Sequence, residues 1–520
     1  MSSYKIKRLY ELRESDPREA IELARDLDPG LGPEEREAAA VVLVDCGDAV
    51  GDFSSVSKGV EIFDELVASA GSHPGLSYNL ANALQVRARL VHGPLSPISG
   101  KAFEDRFRAR VQFGAVLRDG TASPELKSQA LTNIGILLLD TSRWVEGLDC
   151  FQRALKVLPW NGVAAYQEMR HSMGLAGLFY RKHETYQTYC HIDTLLQRIR
   201  QLADVVISNQ EAIIDFSGRE ALRTVIDAAK DAAKIEPIPR KLIENSYFEF
   251  IDAEALALSI CCSAEEYQAG RFDLLTVPSI RAKKSDGHGV PEVFAMINVM
   301  KSDYAFARQV YYSVREHGVE TPYSETTSHA DTLDYAVYGV RYSALTSAQR
   351  IAFDVLDKIA VALACYLEMK KAHRSSFADV WGKTGKGGAI QLHDEILAHL
   401  RAGNPGLIAL YNIYHDISKD QSRGDGFMQA HKSYRNSSTH RFSVLHDDMF
   451  SDDKSSVSLA VDHTRLDRFE RLTLDSLKLA RAALFYFVDF INFAEDALRD
   501  ENGVIVLSSK VPDHDHIRGR

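Results

Sequence analysis

The segment "YRNSSTHRFSVLH" (434–446) is a polar island between stretches patterned like apolar helix faces, and it carries Arg435, Asn436, His440 and His446. A neutral imidazole is a natural base for a hydroxyl near neutral pH. A guanidinium offers planar, permanently charged donors to a phosphate as negative charge builds on it. These types suit RNA cleavage by the substrate's own 2′-hydroxyl, with His440 as base or acid and Arg435 on the scissile phosphate. No metal is needed, and DNA, lacking that hydroxyl, would be inert. If the segment is helical, residues four apart stack, so Asn436 would orient the His440 ring by a hydrogen bond. Arg435 and His440, five apart, diverge by about 140° on one helix. Arg435 would then need a frayed helix start or a second subunit to reach the same phosphate.

The elements that must position these residues are helical. In "TSAQRIAFDVLDKIAVALACYLEMKKA" (346–372), Phe353, Leu356, Ile359, Ala360, Leu363 and Leu367 recur at three- and four-residue spacing, one buried stripe. Thr346 or Ser347 is a candidate cap for its start. Shorter helices are expected at 389–403 and 405–418, and a final one from Arg468 to Leu498, with the polar island at the start of another helical segment. That is the arithmetic of a four- or five-helix bundle.

Upstream, "LKSQALTNIGILLLDTSRWVEGLDCFQRALKVLPWN" (126–161) places Gly135, Gly147, Phe151, Ala154 and Pro159 at tetratricopeptide offsets. Small residues let two helices approach, Phe151 fills the gap and Pro159 ends the second helix. One repeat cannot bury its own apolar face, so degenerate neighbours are expected at 36–50 with 58–69, at 76–90 and at 164–183, with 91–124 as an insertion. The division predicted is tetratricopeptide-like repeats over 1–190, a helical linking region over 191–335, a helical bundle over 336–500 and a flexible tail over 501–520. The fold class predicted is all-α.

Composition bounds the function classes. A 520-residue chain with 45% hydrophobic and 26% charged residues is a folded protein able to bury substantial cores. A net charge of −11 argues against general polyanion binding and leaves only a local basic patch for nucleic acid. The six cysteines form no C-x-x-C pair and read as reduced core thiols. The charged N-terminus lacks a signal peptide's apolar stretch, and no segment spans a bilayer, so a cytoplasmic protein without membrane contact is expected. The formal sequon Asn436-Ser437-Ser438 would then never meet a glycosyltransferase.

Other motifs carry less. "GKTGKGG" (382–388) lacks the Ser or Thr and the first glycine of a phosphate loop. The "RAKK" in 276–292 reads as a solvated charged loop. His393-Asp394, His415-Asp416 and His446-Asp447 invite a metal-dependent phosphohydrolase reading, but each sits in a different helical segment. The tail "VPDHDHIRGR" (511–520) could hold only adventitious metal. No cofactor and no metal site are expected.

The polar island resembles the Arg-x4–6-His motif of the HEPN superfamily, all-helical domains of RNA-cleaving toxins and antiviral nucleases, in its form Arg-Asn-x-x-x-His: Arg435, Asn436, His440. "DTLDYAVYGVRYSALTSAQRIAFDVLDKIAVAL" (331–363) and "NPGLIALYNIYHDI" (404–417) precede it in the order of a bacterial family with tetratricopeptide repeats before a C-terminal HEPN domain. "MINVMKSDYAFAR" (296–308) is similar to that family's upstream region, so the resemblance covers roughly 290–500. It departs at Ser437, Ser438 and Thr439, where bulkier or acidic residues are usual. The resemblance implies a metal-independent endoribonuclease in toxin-like or antiviral defence, acting as a homodimer whose two motifs meet. It implies supporting roles for Asp357 and His446, while the concave face of the repeats is expected to hold a protein or peptide regulator or an adjacent part of the chain. The alternative is a non-catalytic scaffold whose repeats bind protein and whose bundle binds RNA or nucleotide.

Overall fold

The structure is a computed structural model. It describes the chain except residues 1, 27–31, 72, 92–96, 183–185, 239–244, 261–272, 278, 283–290, 317–326, 385–389, 421–423, 448, 450–459, 499–503 and 508–520. Two compact units form, Met1–Ile238 and Pro239–Arg520. Both are helical, with only short strands, in the second unit, among the described residues. No described helix is long and apolar enough to cross a membrane.

The first unit is α1 (Ser2–Ser15), α2 (Pro17–Arg25), α3 (Pro33–Val50), α4 (Phe53–Ala70), α5 (Pro74–Leu90), α6 (Gly100–Arg118), α7 (Pro124–Leu139), α8 (Trp144–Val157), α9 (Gly162–Lys182), α10 (Tyr186–Ser208), α11 (Gln210–Ser217) and α12 (Arg219–Ala233). Successive helices from α3 to α10 pack in pairs, and each pair leans on the next. The clearest predicted repeat is the α7–α8 pair. A Cβ on Gly135 would stand 2.5 Å from the Phe151 ring, so glycine there is what lets the ring fill the gap. Residues 91–124, expected as an insertion, instead hold α6, the partner of α5. Its charged sequence conceals an inward face of Phe103, Phe107 and Phe113. Asp105 is buried with them because both its oxygens accept from the Arg87 guanidinium, each at 2.7 Å. The last three helices share an apolar core with α7, α8 and α9, from Leu131 through Tyr166 and Leu202 to Ala232.

The second unit runs α13 (Ser246–Ala253), β1 (Ser279–Ala282), α14 (Glu292–Glu316), β2 (Ala336–Val337), α15 (Val340–Tyr366), β3 (Gly382–Thr384), β4 (Ile390–Leu392), α16 (Asp394–Arg401), α17 (Pro405–Ile417), β5 (Lys419–Asp420), β6 (Gly424–Asp425), α18 (Gln429–His440), β7 (Phe442–His446), β8 (Val461–Arg465), α19 (Leu466–Ala497) and β9 (Val504–Leu507). Helices α14, α15, α17 and α19 make the bundle, with α18 laid against α15 and α17. Of the predicted stripe, Phe353, Leu356, Ile359, Ala360 and Leu363 are buried, while Leu367 is the partly exposed C-cap of α15. However, α15 starts at Val340, after Gly339 at φ 130°, so neither Thr346 nor Ser347 caps it. Thr346 lies inside the helix, and its hydroxyl donates to the Ser343 carbonyl at 2.9 Å.

Helix α17 begins where Asn404 accepts the Leu407 N–H at 3.2 Å ahead of Pro405 at the first helical position. The same amide donates to the Phe490 carbonyl at 3.0 Å, tying that cap to α19. A Cβ on Gly406 would lie 2.1 Å from the Tyr486 carbonyl oxygen and 2.2 Å from the Phe490 nitrogen, so α17 and α19 touch backbone to backbone.

Candidate functional site

The polar island is the end of a helix and not its start. Helix α18 closes at His440 and the chain passes directly into β7. Its buried side is fixed by His431 and Tyr434. His431 Nδ1 lies 2.9 Å from Ser476 Oγ on α19, and Gln349 of α15 donates to the His431 carbonyl at 3.2 Å. Burial holds the His431 imidazole below its usual range. Tyr434 packs edge-on against Phe469, and its hydroxyl bonds Thr464 on β8.

One turn beyond His431, Arg435 meets α15. Its Nε donates to Asp354 Oδ1 at 2.9 Å and its Nη2 to Asp357 Oδ2 at 2.8 Å. Nη1 donates to Asn436 Oδ1 at 3.3 Å. Asp357 is itself oriented by accepting the Phe377 N–H at 2.8 Å. Asp354, three residues before Asp357 and so on the same helix face, was not singled out from sequence; that i, i+3 spacing was the available signal.

The next row of α18 lines an open cleft of about 340 Å³ bounded by Tyr414, Lys419, Gln429, Lys432, Asn436 and Arg441, among others. Lys432 and Asn436 are four apart, and position 440 continues that row along the backbone. The His440 side chain itself lies outside the described residues, so its relation to Asn436 is not among the contacts found. Burial depresses the Lys432 ammonium, and the carboxylates of Asp357 and Asp379 oppose that shift. Tyr414 is backed by Trp381, with ring centroids 5.9 Å apart, and Trp381 is anchored by its indole N–H to the Phe377 carbonyl at 2.8 Å. Lys419, Lys432 and Arg441 come from separate elements, and no sequence pattern joined them.

His446 is fully buried on β7. Its Nδ1 lies 2.9 Å from the Asp334 carbonyl oxygen and its Nε2 lies 2.7 Å from His463 Nδ1. Asp334, His446 and His463 form a group with metal-ligand potential; Asp334 and His463 were missed because they come from distant segments. The Thr332 hydroxyl, ahead of the Ala336 N–H and the two rings, holds the Asp334 carboxyl below its usual range against the opposing effect of burial. His393-Asp394, His415-Asp416 and His446-Asp447 are not gathered into one ligand set among the described residues. Of "GKTGKGG", Gly382–Thr384 is strand β3 and 385–389 lie outside the described residues, as do 283–284 of "RAKK" and the tail 511–520. Cys46 and Cys150 are free and buried, Cys190 is buried, and Cys365 is free. Cys261 and Cys262 lie outside the described residues.

No curated protein and no solved structure matched the chain. The family model of the LA2681-like HEPN domain matches residues 284–494, a span that runs from ahead of α14 into α19 and holds the Arg435 site. The chain is thus all-α, its N-terminal helices are consistent with repeats, and its residues 284–494 match the LA2681-like HEPN domain.

Proposed function

We propose that this protein is a metal-independent endoribonuclease of HEPN type. The observation that carries the reading is the Arg435 guanidinium, gripped by two carboxylates of α15 beside a cleft bordered by Lys419, Lys432 and Arg441. Three cations around one opening on a chain of net charge −11 are a local anion site in an otherwise repelling field. Tyr414 at the same opening offers a face on which a base can stack.

In the proposed reaction the imidazole of His440 takes the 2′-hydroxyl proton, and O2′ attacks the adjacent phosphorus. The P–O5′ bond breaks and the 5′-oxygen leaves with a proton, giving a 2′,3′-cyclic phosphate and a 5′-hydroxyl. Arg435 stabilises the charge that grows on the non-bridging oxygens, and Asn436 orients the base. Asp354 and Asp357 hold Arg435 by Nε and Nη2, which leaves its Nη1 edge on the Asn436 side. Asp357 is thus a positioning residue in this account, and His446 supports the strand that leaves α18. Two copies would bring two such sites together in a homodimer, the repeats would hold a protein or peptide regulator, and the setting would be cytoplasmic RNA degradation in toxin-like or antiviral defence.

A second reading draws on the same grip. A guanidinium paired with two carboxylates also serves as a structural tie between α15 and α18, and the protein would then be a scaffold binding RNA or nucleotide without turnover. Cleavage of a fluorescent single-stranded RNA in EDTA separates the two. The nuclease predicts RNA-only cleavage lost in Arg435→Ala and His440→Ala; the scaffold predicts retained RNA binding and no product from any form.

A further inference from the structure

The small β2–β7–β8 sheet and the bend ahead of β2 bring three side chains together. β7 pairs antiparallel with β2, Ala336 opposite His446, and parallel with β8, Val444 opposite His463. His446 stands opposite Arg465, so His463 is its diagonal neighbour two positions along, on the same face. Asp334 lies in the bend just ahead of β2. Ligand atoms of Asp334, His446 and His463 all lie within 4.8 Å of one another.

The hydrogen bonds fix which atoms face the centre. A carbonyl oxygen can only accept, so at 2.9 Å from Asp334 O the His446 Nδ1 carries the hydrogen and Nε2 presents its lone pair. That lone pair meets His463 Nδ1 at 2.7 Å, a contact that is favourable only around a shared proton or a cation. One ring nitrogen on a backbone carbonyl and the other facing inward is the usual posture of a metal-ligating histidine. The Asp334 carboxylate uses Oδ1 for the Thr332 hydroxyl at 2.5 Å and the Ala336 N–H at 3.3 Å. Its Oδ2 takes no hydrogen bond among the described residues. Leu333 at φ 55° and Tyr335 at φ 63°, both left-handed, flank Asp334, so the chain is held in a costly conformation where this carboxylate turns inward.

We propose that Asp334, His446 and His463 bind one divalent transition cation, zinc by preference, as a clamp that pins β8 and the approach to β2 onto β7, the strand leaving the Arg435 helix. Two imidazoles and one carboxylate are a borderline donor set suited to zinc, and calcium or magnesium would want an oxygen shell. Ligands at about 2.0–2.1 Å around a tetrahedral ion stand roughly 3.3 Å apart, so the two rings need part by only about 0.6 Å. Asp334 and His463 are only partly buried, which gives an ion a way in and leaves the fourth position to water. The clamp does not depend on RNA cleavage, because none of its ligands lines the cleft beside Arg435.

The test is metal content. Untagged full-length protein is stripped over chelating resin, titrated with Zn²⁺ and, separately, with Co²⁺ for the visible bands of a tetrahedral site. The expected result is one equivalent per chain and a rise in melting temperature on Zn²⁺ addition. His463→Ala and Asp334→Asn should each weaken binding at least about tenfold while the far-ultraviolet circular dichroism stays unchanged. His446→Ala empties a fully buried position and is expected to misfold, so His463→Ala is the deciding variant. A double variant His514→Ala/His516→Ala controls for the histidines of the tail. Sub-stoichiometric uptake by the wild type would overturn the proposal, as would zinc that survives His463→Ala and leaves with the tail variant. A His463→Ala protein that loses stability with zinc uptake unchanged would make the His446–His463 contact a shared-proton hydrogen bond only.

Discussion

At the scale of the residue, Arg435 is the pivot, and its two proposed roles separate by magnitude. Its ion pairs to Asp354 and Asp357 involve side chains that are 23%, 39% and 35% exposed, so as ties they contribute about 1 kcal/mol or less. As a preorganised donor to a transition-state phosphate the same guanidinium is worth several times that. Arg435→Lys keeps the charge but cannot address Asp354, Asp357 and a phosphate with fixed planar geometry. It should lower cleavage by at least about a hundredfold while leaving the melting temperature within a few degrees, as measured by kcat/KM and by thermal unfolding. Asp357→Asn removes one of the carboxylates that aim Arg435, so it should lower kcat more than it raises KM; an equal effect of Asp357→Asn and Arg435→Ala on stability alone would point to the structural tie. Arg435, Asn436 and His440 could be named together from sequence because they are local, and Asp357 only through the resemblance; the contacts join Arg435 to Asn436 and Asp357, while the His440 side chain lies outside the described residues. Lys419 and Arg441 could not be named, since only packing brings separate elements to one opening.

At the scale of the element, close approach of backbones decides what the chain tolerates. Gly406→Ala would drive a methyl into the Tyr486 carbonyl and the Phe490 nitrogen, neither of which can rotate away. The α17–α19 contact should then open at a cost of about 3 kcal/mol or more, read as lost hydrogen-exchange protection across 405–417 and 484–494. Gly135→Ala meets a side chain instead, the Phe151 ring, and should cost less, about 1–3 kcal/mol. The offsets that revealed the α7–α8 pair failed to reveal α6, because its buried Asp105 and Arg110 look solvated in a one-dimensional pattern. Helix α18 shows the opposite error. Its polar run was placed at a helix start, yet His431 and Tyr434 lie before Arg435 and anchor the helix that ends at His440.

At the scale of the molecule, the two units answer to different conditions. In the first, His171 on α9 is half-buried beside Arg170, its Nε2 lacks a hydrogen-bond partner among the described residues, and burial pushes its pKa down to about 4. The unfolded imidazole titrates near 6.5, so the unfolded chain takes up a proton that the folded one refuses. The stability of this unit should be complete above about pH 6.5 and fall by about 1.4 kcal/mol per pH unit towards pH 4. His171→Leu should flatten that slope, as measured by hydrogen exchange in α9 between pH 7 and pH 4.5. In the second unit the proposed chemistry is RNA cleavage by Arg435 and His440. It is tested most directly by incubating a single-stranded RNA, and the same strand with one 2′-deoxy substitution, with wild-type, Arg435→Ala and His440→Ala protein in EDTA, and identifying product ends. The expected result is 2′,3′-cyclic phosphate ends from the wild type alone, with no cut at the deoxy position. Cleavage that persists in His440→Ala, or that proceeds at the deoxy position, would contradict it.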